Sequence, residues 1–479
     1  MRVYLDHNAT TPPREEVVDA MERVLRETWG NPSSTHAEGA AARAAVDRAR
    51  EQVASLVGCA PRDLLFTAGA TEANNTALLG VLSGTPGHIL SSAVEHPSVE
   101  AALDALESRG WEVTRAPVDP DGRVGAETAI DALREDTALV SLIWANNETG
   151  VLQPVDEIAE AARERGILFH TDATQRVGKL PIDLSHTPAD LLSLSAHKLN
   201  GPKGTGALVV RQGLAFEPLL RGGPQEGGRR GGTENVAGIV GLGEACALAA
   251  RELPERARRT GALRDRLWEG ISQKIAGVRW NAASDAVLPN TLNVGFEGVA
   301  GEMLLQALDL EGISASAGAA CASGSIEASP VLVAMGRSPA EARGTLRFSV
   351  GHGVDESQID HVLALLPDLV ERARAAGVLT LAVRDGEALD LTAEGLDLGR
   401  KARLAEDIDL PFQIPAGTYL DATRLAELTE AEVEMVDVKT PAAWNLADWT
   451  QRWNFLGAVL AILAGVLLNR RGARASAVQ

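Results

Sequence analysis

Between residues 64 and 210, short apolar runs alternate with segments of helical spacing, and no other feature limits the fold as strongly. Residues 64–67, 88–91, 111–116, 138–144, 167–171, 191–194 and 207–210 read as strands. Residues 70–82, 99–109, 128–133 and 155–165 carry apolar positions at helical intervals. Alternation of this kind predicts a mostly parallel sheet covered by helices on both faces. Ligands of such sheets bind beyond the carboxyl ends of the strands. Those ends here carry Thr71, Asn147, Asp172, and Ser195 with His197 and Lys198. Any one of these polar residues taken alone is more often structural; their common position marks a candidate site.

Lys198 stands out chemically. Only six of the 45 basic residues are lysine (Lys179, Lys198, Lys203, Lys274, Lys401 and Lys439). Lys198 lies between Ser195 and the turn Gly201-Pro-Lys-Gly204, on a loop between two strands. An amine that forms a Schiff base must be able to lose its proton, which lysine can do and arginine cannot. Upstream, Ala68-Gly-Ala-Thr-Glu-Ala-Asn-Asn75 joins a strand to a helix start. A small-residue turn of that kind leaves backbone N–H groups aimed at one point, as an anion requires, although many such turns bind nothing.

Outside this core, residues 15–29 and 37–57 read as helices. The charged helix predicted over 253–275 reads as a change of domain. Beyond it, a strand (290–296), a helix (301–308), a small-residue loop (313–324), a strand bearing Arg347 (344–350) and a helix (355–375) suggest a second α+β unit. The expected organisation is a large domain over 16–252, a small domain built from 1–15 with 253–375, an extension over 376–442 and a terminal segment over 443–479. The 479 residues carry a net charge of −20, which argues against direct nucleic-acid binding. The three cysteines, Cys59, Cys246 and Cys321, are too few and too widely spaced for a disulfide framework or a CxxC-type metal site. They suit a reducing cytoplasm, and no apolar leader opens the chain.

Seven motifs stand in a fixed order: Tyr4-Leu-Asp6 with Ala9-Thr-Thr-Pro12, Gly69-Ala-Thr-Glu-Ala-Asn74, Glu95-His96, Asn146-Asn-Glu-Thr-Gly150, His170-Thr-Asp-Ala-Thr-Gln175, Ser195-Ala-His-Lys198 and Ser316-Ala-Gly-Ala-Ala-Cys321. Together they resemble the cysteine desulfurases of the NifS/IscS type, in the class-V aminotransferase family, over about residues 1–375. The resemblance implies a fold-type-I architecture with a seven-stranded, mostly parallel sheet, and pyridoxal phosphate bound to Lys198. It implies that Asp172 pairs with the pyridine nitrogen, that His96 stacks on the ring and moves the substrate thiol proton, and that Gln175 meets the ring oxygen. Thr71, Ser195 and His197 match the phosphate binders, Ala70 matches a cofactor-binding position, and Thr233 matches the phosphate binder given by a neighbouring subunit, hence a homodimer. Asn147, also placed beside the cofactor, and Arg347 match the residues that hold the substrate carboxylate. Cys321 takes the sulfur of L-cysteine as a persulfide, for an acceptor such as an iron–sulfur scaffold or a thiolation relay. No resident metal is implied, although Cys321 is placed to contact a transferred cluster. Ala319 and Gly231 stand where many relatives have serine.

From about residue 377 the family pattern ends. Alternating apolar residues broken by Gly and Asp suggest a small β-rich module. Trp444, Trp449 and Trp453 then flank an uncharged run over 453–469, with Arg470, Arg471 and Arg474 beyond it. This run is at or just below the length that spans a bilayer, and it carries interfacial anchors on both sides. Membrane contact through it is therefore expected. A crossing from a cytoplasmic body would place the arginines outside, against the positive-inside tendency, so a helix lying in the interface is the easier arrangement. A terminal helix packed on protein is the alternative.

Overall fold

The computed structural model describes residues 1–82, 84–282, 286–317 and 328–376, with residues 383–384 and 387–388. Cys321 and the terminal run over 453–469 lie outside the described residues. Contacts divide the chain into two units, Met1–Val370 and Glu371–Gln479. Of the second unit, the structure describes the end of the helix Glu356–Ala376 and one short antiparallel pair, Val383 with Ala388 and Arg384 with Glu387.

In the first unit, β1 (Val3–Tyr4) leads into α1 (Glu15–Glu27) and α2 (Ala37–Val57). The strands β2 (Leu64–Thr67), β3 (His88–Ser92), β4 (Glu112–Ala116), β5 (Thr137–Ile143), β6 (Leu168–Asp172), β7 (Leu191–Ser195) and β8 (Gly206–Val210) form one sheet. Its order is β2-β8-β7-β6-β5-β3-β4. The four pairings among β3, β4, β5, β6 and β7 are parallel, and β8 runs antiparallel to both β7 and β2. The reversal has a local cause: a Gly/Pro turn returns the chain directly from β7 to β8, too short a path for a parallel crossover.

Side chains alternate between the two faces of the sheet, so neighbouring residues enter different cores. Phe66, Val140 and Leu192 pack with Val53 of α2 in one core, while Leu65, Leu139 and Leu191 pack with Leu78 and Leu103 in the other. The second core is covered by α3 (Ala70–Val81) and α4 (Pro97–Glu107), the first partly by α5 (Ala126–Asp131) and α6 (Val155–Glu164).

The helix predicted over 253–275 is longer than expected. α7 runs unbroken over Val236–Lys274 with Pro254 inside it. Proline removes one backbone donor and crowds the preceding turn. The helix continues because buried residues hold it on both sides: Leu242, Ala245, Cys246 and Ala249 before Pro254, Leu263, Leu267 and Ile271 after it. The start of the charged segment is therefore no helix boundary. After α7, β9 (Val278–Trp280), β10 (Thr291–Phe296) and β12 (Thr345–Ser349) form an antiparallel sheet in the order β12-β10-β9, and β11 (Ile313–Ser314) pairs in parallel with β1. Among the described residues no helix is long and apolar enough to cross a membrane.

Candidate active site

The carboxyl ends of β5, β6 and β7 carry the site. β6 ends on Asp172, which is buried, and each of its carboxylate oxygens already takes one hydrogen bond. The Thr174 backbone N–H donates to Oδ1 at 2.9 Å, and Asn74 Nδ2 donates to Oδ2 at 2.8 Å. A carboxylate oxygen accepts more than one bond, so Asp172 is fixed in orientation and still able to receive a further donor. Asn74 Nδ2 also donates to Ser98 Oγ at 2.9 Å, and Ser98 Oγ lies 2.8 Å from His96 Nδ1.

This chain settles the tautomer of His96. The Ser98 backbone N–H donates to the same Nδ1 at 3.1 Å, so Nδ1 is an acceptor and the ring proton sits on Nε2. Burial holds the imidazole below its ordinary pKa of 6.5, with nearby Lys198 acting in the same direction and Asp172 opposing. His96 is thus a neutral ring offering a proton at Nε2.

Lys198 follows β7 on a short 3₁₀ turn, Ala196–Lys198. Its Nζ donates to the backbone carbonyls of Asn8 at 2.6 Å and Ala9 at 2.8 Å. Burial lowers its pKa from the ordinary 10.5 to about 8, Arg347 adds to the effect, and Asp172 and Asp6 oppose it. Its hydrogen-bond partners are uncharged, so they stabilise the ammonium less than a carboxylate would. Burial, followed by Lys198, also pushes His197 down to about 4, and His197 Nδ1 lies 3.2 Å from Thr10 Oγ1.

A cradle for an anion lies beside them. α3 begins after Gly69, whose φ of 155° and ψ of 178° belong to a region that only glycine occupies readily. Gly69 has no capping side chain, so the first N–H groups of α3, at Ala70 and Thr71, are not capped by it. Gly206 packs against Gly69 so closely that a Cβ there would lie 2.7 Å from Gly69 Cα. Ser195 Oγ would be 3.7 Å from a Cβ on Gly69, which places this hydroxyl at the same turn.

Arg347, on β12, is buried and half-committed. Nη2 donates to Asp6 Oδ1 at 2.7 Å, Nη1 to the Asn147 backbone carbonyl at 3.0 Å, and the buried Nε has no hydrogen-bond partner among the described residues. Thr233 is exposed and makes none of these contacts. Of the other cysteines, Cys246 is buried in α7, where burial raises the thiol, and Cys59 is pushed up to about 12 for the same reason. Both are poor nucleophiles in that state.

The residue that joins the site together was not predicted. Asn8 accepts at its backbone oxygen from Lys198 and from Gln175 Nε2 (2.9 Å), and it donates through Nδ2 to Thr291 Oγ1 (2.9 Å) and the Asn147 carbonyl (3.2 Å). The unbroken polar run Asp6-His-Asn8, so close to the chain start, is its only sequence signal.

Residues 3–362 match the family model for class-V aminotransferases. The chain belongs to the class-V aminotransferase family. Within the family, it is 48% identical over 375 residues to a cysteine desulfurase of Enterobacter agglomerans, covering 78% of this chain and 93% of that one. It is 44% identical to the cysteine desulfurase IscS of Dictyoglomus turgidum, covering 78% and 95%. Among solved structures, a NifS-like protein superposes with a TM-score of 0.73 at 36% identity, covering 78% of this chain and all of that one. A second, SspA in complex with cysteine, gives a TM-score of 0.66 at 36% identity, covering 73% and 99%. The last ~100 residues lie beyond these matches.

The family implies pyridoxal phosphate, and the residues present suit it. The uncapped start of α3 with Ser195 offers donors for a phosphate, Lys198 is an amine that loses its proton readily, and Asp172 is an oriented carboxylate.

Proposed function

We propose that this protein is a cysteine desulfurase, taking L-cysteine to L-alanine and holding the sulfur as a persulfide on Cys321. The observation that carries this reading is the convergence of Lys198, Asp172 and His96 on one end of the sheet, with His96 neutral and Lys198 easily deprotonated. When bound, pyridoxal phosphate supplies an electron sink for carbanion chemistry at the substrate α-carbon. The chain supplies the rest. Lys198 holds the cofactor and returns as a base, its low pKa keeping a useful fraction neutral near pH 7. Asp172 holds a proton at the ring nitrogen, and Asn74 keeps that carboxylate in place.

Ala70, Thr71, Ser195 and His197 bind the phosphate in this reading, and Gln175 donates to the ring oxygen. The guanidinium of Arg347 and the side chain of Asn147 bind the substrate carboxylate, a role supported by the unpartnered Nε. Asp6 takes one N–H of Nη2 and holds the guanidinium in place, leaving other N–H donors for substrate. His96, with its ring proton on Nε2, donates a hydrogen bond from that nitrogen to the substrate sulfur. The Cys321 thiolate attacks the substrate sulfur: the S–S bond forms, the C–S bond breaks with its electron pair going to carbon, and that carbon takes a proton. The products are alanine and the Cys321 persulfide, with no external oxidant.

We also read residues 16–252 as the cofactor domain and 1–15 with 253–375 as the small domain. The working unit is a homodimer in which exposed Thr233 completes the partner's phosphate site. An acceptor protein removes the sulfur, and the apolar run over 453–469 contacts a membrane surface from a cytoplasmic body. The test is to purify the full chain with pyridoxal phosphate, record its visible spectrum and assay alanine and sulfide from L-cysteine with a thiol reductant. A yellow protein that forms both supports the reading; a chain that stays colourless with the cofactor overturns it.

A further inference from the structure

Lys179 is a buried amine to which the reaction assigns no role. It is 7% exposed, and its Nζ donates to Gln175 Oε1 at 2.5 Å and to Asn8 Oδ1 at 3.0 Å. Among the described residues it makes no ion pair with a carboxylate. The charges that act on it are the cations Lys198, Arg347 and Arg256, and burial with these cations holds it well below the ordinary lysine range. Burying an amine without a counter-charge is costly, and an apolar side chain would fill the same volume more cheaply. Its two hydrogen bonds are what distinguish it from such a filler.

A carboxamide looks nearly the same from either end, and only its partners decide which end points where. Gln175 Nε2 donates at 2.9 Å to the Asn8 backbone oxygen, which also takes Lys198 Nζ at 2.6 Å. A carbonyl oxygen can only accept, so it selects the NH₂ end of Gln175 on the Lys198 side. Lys179 selects the oxygen end on the opposite side. It fixes the Asn8 carboxamide in the same way, with Oδ1 toward Lys179 and Nδ2 toward the Asn147 carbonyl.

We propose that Lys179 is a positioning residue that locks the Gln175 carboxamide with its N–H donor on the Lys198 side, and so orients the donor that meets the cofactor ring oxygen. This rests on the pyridoxal phosphate reading above. With Lys179 gone, only the Asn8 backbone oxygen still selects the amide's orientation, and the fraction of molecules that make the half-turn presents Oε1, which repels an anionic ring oxygen instead of stabilising it.

The experiment is a double-mutant cycle on the full-length holoenzyme: Lys179→Met, Gln175→Ala and the pair. The readouts are the pyridoxal phosphate dissociation constant and the pH midpoint of the visible band, neither of which depends on turnover. Loss of one oriented hydrogen bond predicts about ten-fold weaker retention in Lys179→Met. Its band midpoint moves in the same direction as that of Gln175→Ala, and the double variant is no worse than Gln175→Ala alone. Lys179→Gln keeps a donor and recovers part of the loss, and Lys179→Leu replaces Lys179→Met in the cycle should that variant fail to fold. Additive effects would mean that Lys179 acts through charge or packing, and would overturn the proposal. So would a wild-type dissociation constant and spectrum in Lys179→Met while Gln175→Ala is impaired. Wild-type protein that takes up no cofactor would instead defeat the functional reading itself.

Discussion

The amine of Lys198 should titrate near pH 8, and its neighbours should move that midpoint in opposite directions. The gap between the ordinary 10.5 and about 8 is a penalty on the ammonium form of ~3.4 kcal/mol at 1.36 kcal/mol per pH unit. Burial is the largest cause, Arg347 the next, and Asp172 and Asp6 pull the other way. Arg347→Met removes only the second cause, so the midpoint should rise above 8 without reaching 10.5. Asp172→Asn removes a stabilising anion and should lower it below 8. The assay is competitive acetylation of cofactor-free protein across pH, with the Lys198 peptide quantified by mass spectrometry against exposed Lys203. Below the midpoint the rate should rise ten-fold per pH unit, because only the neutral amine reacts. A wild-type midpoint near 10.5, or shifts of the same sign in both variants, would refute the electrostatic account of this lysine.

Ser98→Ala removes the hydroxyl that donates to His96 Nδ1 and accepts from Asn74, so turnover should fall ~10-fold while cofactor is retained; equal loss of both would mean a purely structural role. Glu95 is buried, takes hydrogen bonds from Ser92 and Ile143, and is pushed up to about 8 by burial. Because its folded pKa lies above its unfolded one, the stability it contributes is present below pH 4.5 and is lost as pH rises through about 8. Glu95→Gln should therefore flatten the fall in melting temperature between about pH 4.5 and about pH 8, and an unchanged slope would show that Glu95 stays ionised. A chain ending at residue 376 should keep cysteine desulfuration, since every proposed catalytic residue precedes that point. The same chain should lose any sedimentation with lipid vesicles that full-length protein shows; loss of activity would tie the tail to the catalytic body.

What could be read in the sequence was local. Thr71, Asp172 and Lys198 were legible because each ends or follows a strand, and strand positions follow from short-range periodicity. The sheet's parallel core was legible for the same reason, and its two antiparallel pairs needed only the short turn after Lys198. Asn8, Asp6 and Lys179 were not legible as site residues, since their partners lie far away in the chain: Asp6 meets Arg347, and Asn8 meets Gln175, Lys198 and Thr291. Such contacts come from how strands stack, which no short-range pattern encodes. The extent of α7 was hidden because Pro254 opposes a helix locally, and only packing on both sides outweighs it.

The most direct test of the account is a single turnover without reductant. Holoenzyme is mixed with less than one equivalent of L-cysteine, alanine is measured, and the cysteine-bearing peptides are weighed by mass spectrometry. One alanine should form per substrate consumed, with one extra sulfur atom on the Cys321 peptide and none on those of Cys59 and Cys246. Alanine formed with the sulfur on Cys59 or Cys246, or on no peptide at all, would contradict it.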